Sequence, residues 1–221
     1  MNGGADPRVV LVGAGAQAKY ACETFRHLGV EVVGVMNLAQ GGEVAWPRAY
    51  GCRVFAVDEA LREPLGLAVT HSVICVADAA EKARWWARAE GAGLAPLSAI
   101  HPRAVVATTA QVGPGCIVNA CAVIQPFAVV GRGVMIHANV TVEHDARVED
   151  FANLGPGVSL AGWVHVEEAA TVFTGAAVGP RVRIGRGAVV GAGAAVVSDV
   201  PAGSVVVGVP ARGVGSDSVT R

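Results

Sequence analysis

The sequence predicts a two-domain chain, an N-terminal α/β unit of nucleotide-binding type followed by a parallel β-solenoid. Two observations predict it. A six-residue repeat fills the second half without interruption, and near the start a short apolar strand runs into a glycine loop and a helix. Glycine, at 29 of 221 residues, is about twice its usual ~7%, which is the compositional mark of a repeat or of many turns.

Stepping by six from Ile100 gives Val106, Val112, Val118, Ile124, Val130, Ile136, Val142, Val148, Leu154, Leu160, Val166, Val172, Val178, Ile184, Val190 and Val196, all aliphatic. Four residues after each comes a small residue, Ala, Val or Cys, from Ala104 to Val200. Pro102, Pro114, Pro126, Pro156 and Pro180 fall two residues after the aliphatic, and Gly115, Gly133, Gly157, Gly175, Gly187 and Gly193 three after it. Turn residues therefore never enter the apolar rows. Each hexad supplies one short strand and one corner, so three hexads close a triangular coil of 18 residues, and residues 100–201 make about 5.7 coils. A helical period of 3.6 could not keep both rows inside.

In the first half, Arg8 to Val12 reads as a strand entering Gly13-Ala14-Gly15-Ala16-Gln17-Ala18 and a helix through Leu28. Glycines there let the backbone turn and approach a pyrophosphate, while the helix start offers unpaired N–H groups and a positive dipole end. The second strand, Glu31 to Met36, ends in Asn37 rather than in the acidic residue that a dinucleotide ribose requires, which argues against NAD. Further strands over Cys52 to Phe55 and His71 to Ala77 alternate with helices near Val57 to Arg62 and Ala79 to Gly91, giving a short doubly wound sheet. Gln40 to Trp46 reads as a loop near a substrate. Trp85 and Trp86 are adjacent on the last helix, so one is expected in the core and the other at a surface. The resulting domains are 1–99, 100–212 and a flexible tail at 213–221.

Composition excludes several functions. Seventeen Lys+Arg against 18 Asp+Glu, with no basic block, leaves no footprint for nucleic acid or anionic lipid. No stretch approaches the ~20 apolar residues of a membrane span, and no signal peptide is evident, so a cytoplasmic location is expected. Cys22, Cys52, Cys75, Cys116 and Cys121 lack CxxC spacing and read as reduced, mostly buried residues.

Among six histidines, His27 and His71 look like helix-end and strand-start residues, and His101 belongs to a corner at the opening of the first hexad. His144 differs, lying in Val142-Glu143-His144-Asp145 at a solenoid turn. Imidazole can take a proton from an attacking amine or hydroxyl near neutral pH, and the neighbouring carboxylate can fix its tautomer.

The Gly-x-Gly-x-x-Ala opening, His101-Pro102, the hexads, Glu143-His144-Asp145 and Val207-Gly208-Val209-Pro210-Ala211 together resemble the family of sialic-acid O-acetyltransferases and bacillosamine-pathway sugar N-acetyltransferases, over residues 8–212. The resemblance implies a Rossmann-like N-terminal domain that binds a nucleotide-linked amino sugar. It also implies a left-handed parallel β-helix that forms a homotrimer and holds acetyl-CoA, the acyl donor, in a groove between neighbouring helices. It makes His144 the general base and Asp145 its orienting acid. By position, Asn153 falls near the thioester, the Gly162 N–H meets the thioester carbonyl, and Ala192, Gly208 and Pro210 line the coenzyme groove. On the sugar side it points to Gly13, Gly15, Ala16, Gln17, Asn37 and His137. The chain departs there from the family pattern, with Ala16-Gln17 for Gly-His, Met36-Asn37 for an acidic pair, and His137 where Asn is common.

The expected activity is transfer of acetyl from acetyl-CoA to the amine of a nucleotide sugar, without a metal. A hydroxyl acceptor would use the same base. Two rival readings are a zinc enzyme of carbonic-anhydrase type and a non-catalytic nucleotide-sugar scaffold. Zinc would need His137, His144 and His165, which leave the coil at different hexad positions.

Overall fold

A computed structural model describes residues 6–38, 44–56 and 67–214. The chain divides into two compact units, Met1–Pro102 and Arg103–Arg221.

The first unit is built on β1 (Arg8–Val12), α1 (Ala16–Leu28), β2 (Glu31–Asn37), α2 (Trp46–Ala49), β3 (Arg53–Ala56), β4 (His71–Ile74), α3 (Ala79–Gly91) and β5 (Ala95–Pro96). Its strands form a parallel sheet in the order β3-β2-β1-β4-β5, so the order reverses between β1 and β4. Val9 to Val12 are fully buried, as expected for the central strand of a parallel sheet. Gly29 closes α1 in the left-handed conformation (φ 69°), donating its N–H to the last-turn carbonyls, and Asp78 caps α3 by accepting the Glu81 N–H at 2.7 Å.

Several expectations change. Strand β4 stops at Ile74 because its partner β1 ends at Val12, after which the chain turns into the glycine loop. Strand β3 starts one residue late, at Arg53, and the short β5 was not anticipated. Trp46 opens helix α2 rather than ending a loop. Trp85 and Trp86 are both buried, at 6% and 5% exposure. With Lys82 and Ala89 they occupy i, i+3, i+4 and i+7 of α3, a single face about 100° wide that accommodates adjacent residues at its two edges. The helix expected near Val57 to Arg62 lies outside the described residues.

The second unit is a parallel β-solenoid of two-residue strands, each ending on the aliphatic of its hexad. Pairing joins residues 18 apart, as in Thr141↔Ser159, Arg147↔His165 and Asn153↔Thr171, so three sheets run along the solenoid. From Cys116 to Ala194 every aliphatic and every small residue of the two rows is buried. A layer therefore consists of three aliphatics with small residues filling the corners between them. The last coil is shorter, with Ile184 bridged to Val200 and Val189 paired to Val205. Val205–Val207 then pairs antiparallel with Arg212–Gly213. Gly213 is therefore part of a strand and not of a tail, because this return covers an otherwise open parallel edge. Residues 215–221 lie outside the described set.

Candidate active site

From Val112 to Val190 the residue three positions after each aliphatic takes a left-handed backbone, and these corners stack in three rows along the solenoid. One row contains Gly115, Gly133, Phe151, Ala169 and Gly187, and a second Cys121, Asn139, Gly157, Gly175 and Gly193. The third, Phe127, Asp145, Trp163 and Arg181, has no glycine, with φ between 56° and 63°. A side chain in this conformation costs roughly 1–2 kcal/mol, so four together mark an edge where side-chain chemistry outweighs backbone comfort.

His144 lies on this edge, next to Asp145. Its Nδ1 is 2.9 Å from Asp145 Oδ2, and its own N–H is 3.3 Å from Glu143 Oε2. A carboxylate only accepts, so the ring proton sits on Nδ1 and the lone pair on Nε2. Both side chains are partly exposed, 44% for His144 and 39% for Asp145. The ring lies over Gly162 in the next coil, where a Cβ would come within 2.7 Å of Nε2 and Cε1. Only glycine leaves room for the imidazole. Trp163 donates its backbone N–H to the His144 carbonyl at 3.1 Å and sets its indole perpendicular to the imidazole, with centroids 4.5 Å apart. Arg181, one coil on, lies 4.5 Å over the Trp163 ring. Among the described residues the Gly162 N–H donates to no backbone acceptor.

The other residues expected at this site do not gather around His144 within one chain. The 143–146 corner links Thr141–Val142 to Arg147–Val148, whereas Asn153 belongs to the third sheet, on the face opposite that corner. Its Oδ1 is buried with no hydrogen-bond partner among the described residues. His137 follows Ile136 on that same sheet, its N–H bonded to Leu154 O. Ala192 is an exposed corner residue of the last coils. Gly208 (φ 92°) precedes a cis Val209–Pro210 bond, and this segment is held to the solenoid by Ala195 N–H to Gly208 O and Ala211 N–H to Ala195 O. Ala211 and Arg212 line a cleft of about 320 Å³ with Asp199 and Ser204.

In the first unit, Gly13 adopts φ 104°, and a Cβ there would lie 2.8 Å from Cys75 O. Gly15 is the N-cap of α1, and Ala16, its first residue, is exposed, with no acidic side chain in the first turn. That end of the helix is suited to an anion. Asn37 is half-buried at the end of β2. Gln17 is only 6% exposed on the inner face of α1, its Oε1 buried and without a hydrogen-bond partner among the described residues. A cleft of about 620 Å³ lined by Arg8, Arg26, Glu31 and Arg53 lies at the N-terminal ends of β1 to β3, so it is not the glycine-loop site.

Trp46, expected in a loop near a substrate, donates its Nε1–H to Ala14 O at 2.9 Å and so steadies the glycine loop. Sequence reading missed Trp163 and Arg181. Their signal was present in the sequence, as the only corner row in which glycine never recurs at 18-residue spacing. The histidines proposed for zinc do not converge. His165 Nε2 is 2.6 Å from Glu149 Oε1, and no group of three or more metal-ligating side chains occurs among the described residues.

A parallel β-solenoid with hexapeptide repeats, carrying a carboxylate-held imidazole at a partly exposed corner, is the architecture of a hexapeptide-repeat acyltransferase. No family model and no curated protein matches the chain, but solved structures do. GDP-perosamine N-acetyltransferase from Caulobacter crescentus, as a histidine-to-alanine variant with CoA and GDP-perosamine, is 32% identical, with a TM-score of 0.88 over 94% of this chain and 97% of that one. The acetyltransferase domain of PglB from Neisseria gonorrhoeae, with acetyl coenzyme A, is 28% identical, with a TM-score of 0.85 over 95% and 100%. WeeI from Acinetobacter baumannii shares the fold at 22% identity, with a TM-score of 0.82 over 93% and 99%. The chain belongs to the family of hexapeptide-repeat sugar N-acetyltransferases. Among the described residues no helix is long and apolar enough to cross a membrane.

Proposed function

We propose that this protein transfers the acetyl group of acetyl-CoA to the amino group of a nucleotide-linked sugar, with His144 as general base. The observation that carries the reading is the Nδ1 bond to Asp145, which leaves Nε2 as a base at an exposed corner. The Caulobacter enzyme, captured with CoA and GDP-perosamine in both alanine and asparagine variants of one histidine, supports it.

In this mechanism the amine lone pair attacks the thioester carbonyl carbon while Nε2 accepts the amine proton. Asp145 stabilises the resulting imidazolium and holds the ring plane. The carbonyl oxygen becomes an oxyanion, for which the Gly162 N–H is the donor. Such donors contribute about 2.7–4 kcal/mol where they have been removed from enzymes. Collapse of the oxyanion re-forms the carbonyl and breaks the C–S bond, and the imidazolium returns its proton to the departing thiolate. Ala192, Gly208 and Pro210 are assigned to the coenzyme. Asn153 acts near the thioester from a neighbouring chain, because one chain places it across the solenoid from His144. This requires an oligomer, and the family resemblance supports a homotrimer of left-handed β-helices.

The N-terminal unit is assigned as a Rossmann-like domain for the nucleotide sugar. Diphosphate would meet the start of α1 at Gly13, Gly15 and Ala16, with Asn37 at the end of β2. Strand order reverses at β1 and β4, where ligands of open parallel sheets bind. The location assigned is the cytoplasm.

Release of CoA thiol from acetyl-CoA, with UDP-, GDP- and dTDP-linked 4-amino sugars beside their hydroxyl counterparts, tests the proposal. Release with an amino sugar alone is the expected result. Release only with a hydroxyl sugar would replace it with O-acetylation, and ligand binding without release would leave a scaffold.

A further inference from the structure

We propose that Trp163 and Arg181 are positioning residues for His144, an inference that rests on the reading of His144 as the base. The imidazole has two fixed supports of obvious purpose, Asp145 at Nδ1 and the Gly162 backbone beneath it. Neither prevents the ring from swinging outward, since the side chain is 44% exposed. Trp163 supplies that restraint, with its indole perpendicular to the imidazole at 4.5 Å and its N–H bonded to the His144 carbonyl. Trp163 is 47% exposed and would itself be loose without Arg181, whose guanidinium lies 4.5 Å over its ring. All three supporting side chains, Asp145, Trp163 and Arg181, come from corners with positive φ spaced one coil apart. That backbone aims them along one edge, and a bulky aromatic rarely adopts it without a specific use.

The corner tolerates change, because Ala169 holds φ 61° in an equivalent turn. Trp163→Ala is therefore expected to fold, and to lower kcat about tenfold while KM for acetyl-CoA and for the sugar nucleotide stays within about twofold, since misplacing a reacting group by ~1 Å can cost ~10²-fold. Trp163→Phe restores most of the rate, and Arg181→Met loses part of it. A readout independent of turnover is tryptophan fluorescence against pH, taken as wild type minus Trp163→Phe. Imidazolium quenches a neighbouring indole, so the Trp163 signal follows the titration of His144, with Asp145, Glu143 and Arg181 as the other charges nearby, and loses that dependence in His144→Gln. Unchanged kcat in Trp163→Ala, or a Trp163 signal that ignores pH or persists in His144→Gln, overturns the proposal. Normal turnover in His144→Asn would instead overturn the catalytic reading, and the fluorescence would still decide the packing.

Discussion

Gly162→Ala probes the tightest contact at the site. The added methyl would lie 2.7 Å from both Nε2 and Cε1 of His144 and 3.4 Å from Cδ2. Comfortable separation of such atoms is about 3.5 Å, so the imidazole must retreat by about 0.8 Å. The solenoid backbone cannot yield instead, because Ala161 N–H is bonded to Val178 O and Gly162 O accepts from Arg181 N–H. The ring has open solvent to move into, being 44% exposed, so the fold is expected to keep its melting temperature within about 2 °C. Turnover should not survive as well. A displacement near 1 Å at a reacting group costs up to ~10²-fold, so kcat for CoA release is expected to fall about 30-fold to 100-fold. Steady-state thiol release, with the melting curve measured on the same preparation, gives both numbers. A variant with wild-type kcat would refute the idea that the base needs the space that Gly162 leaves.

Leu160→Ala, in a fully buried layer of the solenoid, should destabilise the protein by about 2–5 kcal/mol in denaturant titration without altering the chemistry at the corner. Trp46→Phe removes the donor to Ala14 O and should raise KM for the sugar nucleotide about fivefold with kcat unchanged, corresponding to the ~1 kcal/mol of a single hydrogen bond. Glu167 is held below its ordinary value of 4.5 chiefly by the Arg186 backbone N–H, with Arg183 adding to the effect. A depressed carboxylate stabilises the fold above its unfolded pKa and loses that contribution as pH falls through its folded one. Glu167→Gln should therefore melt below wild type at pH 5–7, about the range where the carboxylate is fully ionised, with the difference closing on acidification.

The solenoid could be read almost residue by residue because its two buried rows obey one period, and each two-residue strand ends on the aliphatic that marks it. The His144–Asp145 contact was also evident, since adjacent residues at a tight corner have little choice of partner. What could not be read depends on distance along the chain. Gly162 beneath His144, Trp163 against it and Arg181 over Trp163 are one-coil contacts, which emerge only when corners are compared at 18-residue spacing. Asn153 shows the converse, a residue assigned by position that the coil carries to the opposite face. In the N-terminal unit the paired tryptophans misled because adjacency does not take account of the width of a helix face.

The central claim is that Nε2 of His144 takes the amine proton. The direct test is kcat for acetyl-CoA-dependent thiol release in His144→Asn, with the affinity for CoA measured separately. The account predicts a fall of about 10²–10⁴-fold in kcat with CoA binding nearly unchanged. Turnover within a few-fold of wild type would contradict it and move the base elsewhere.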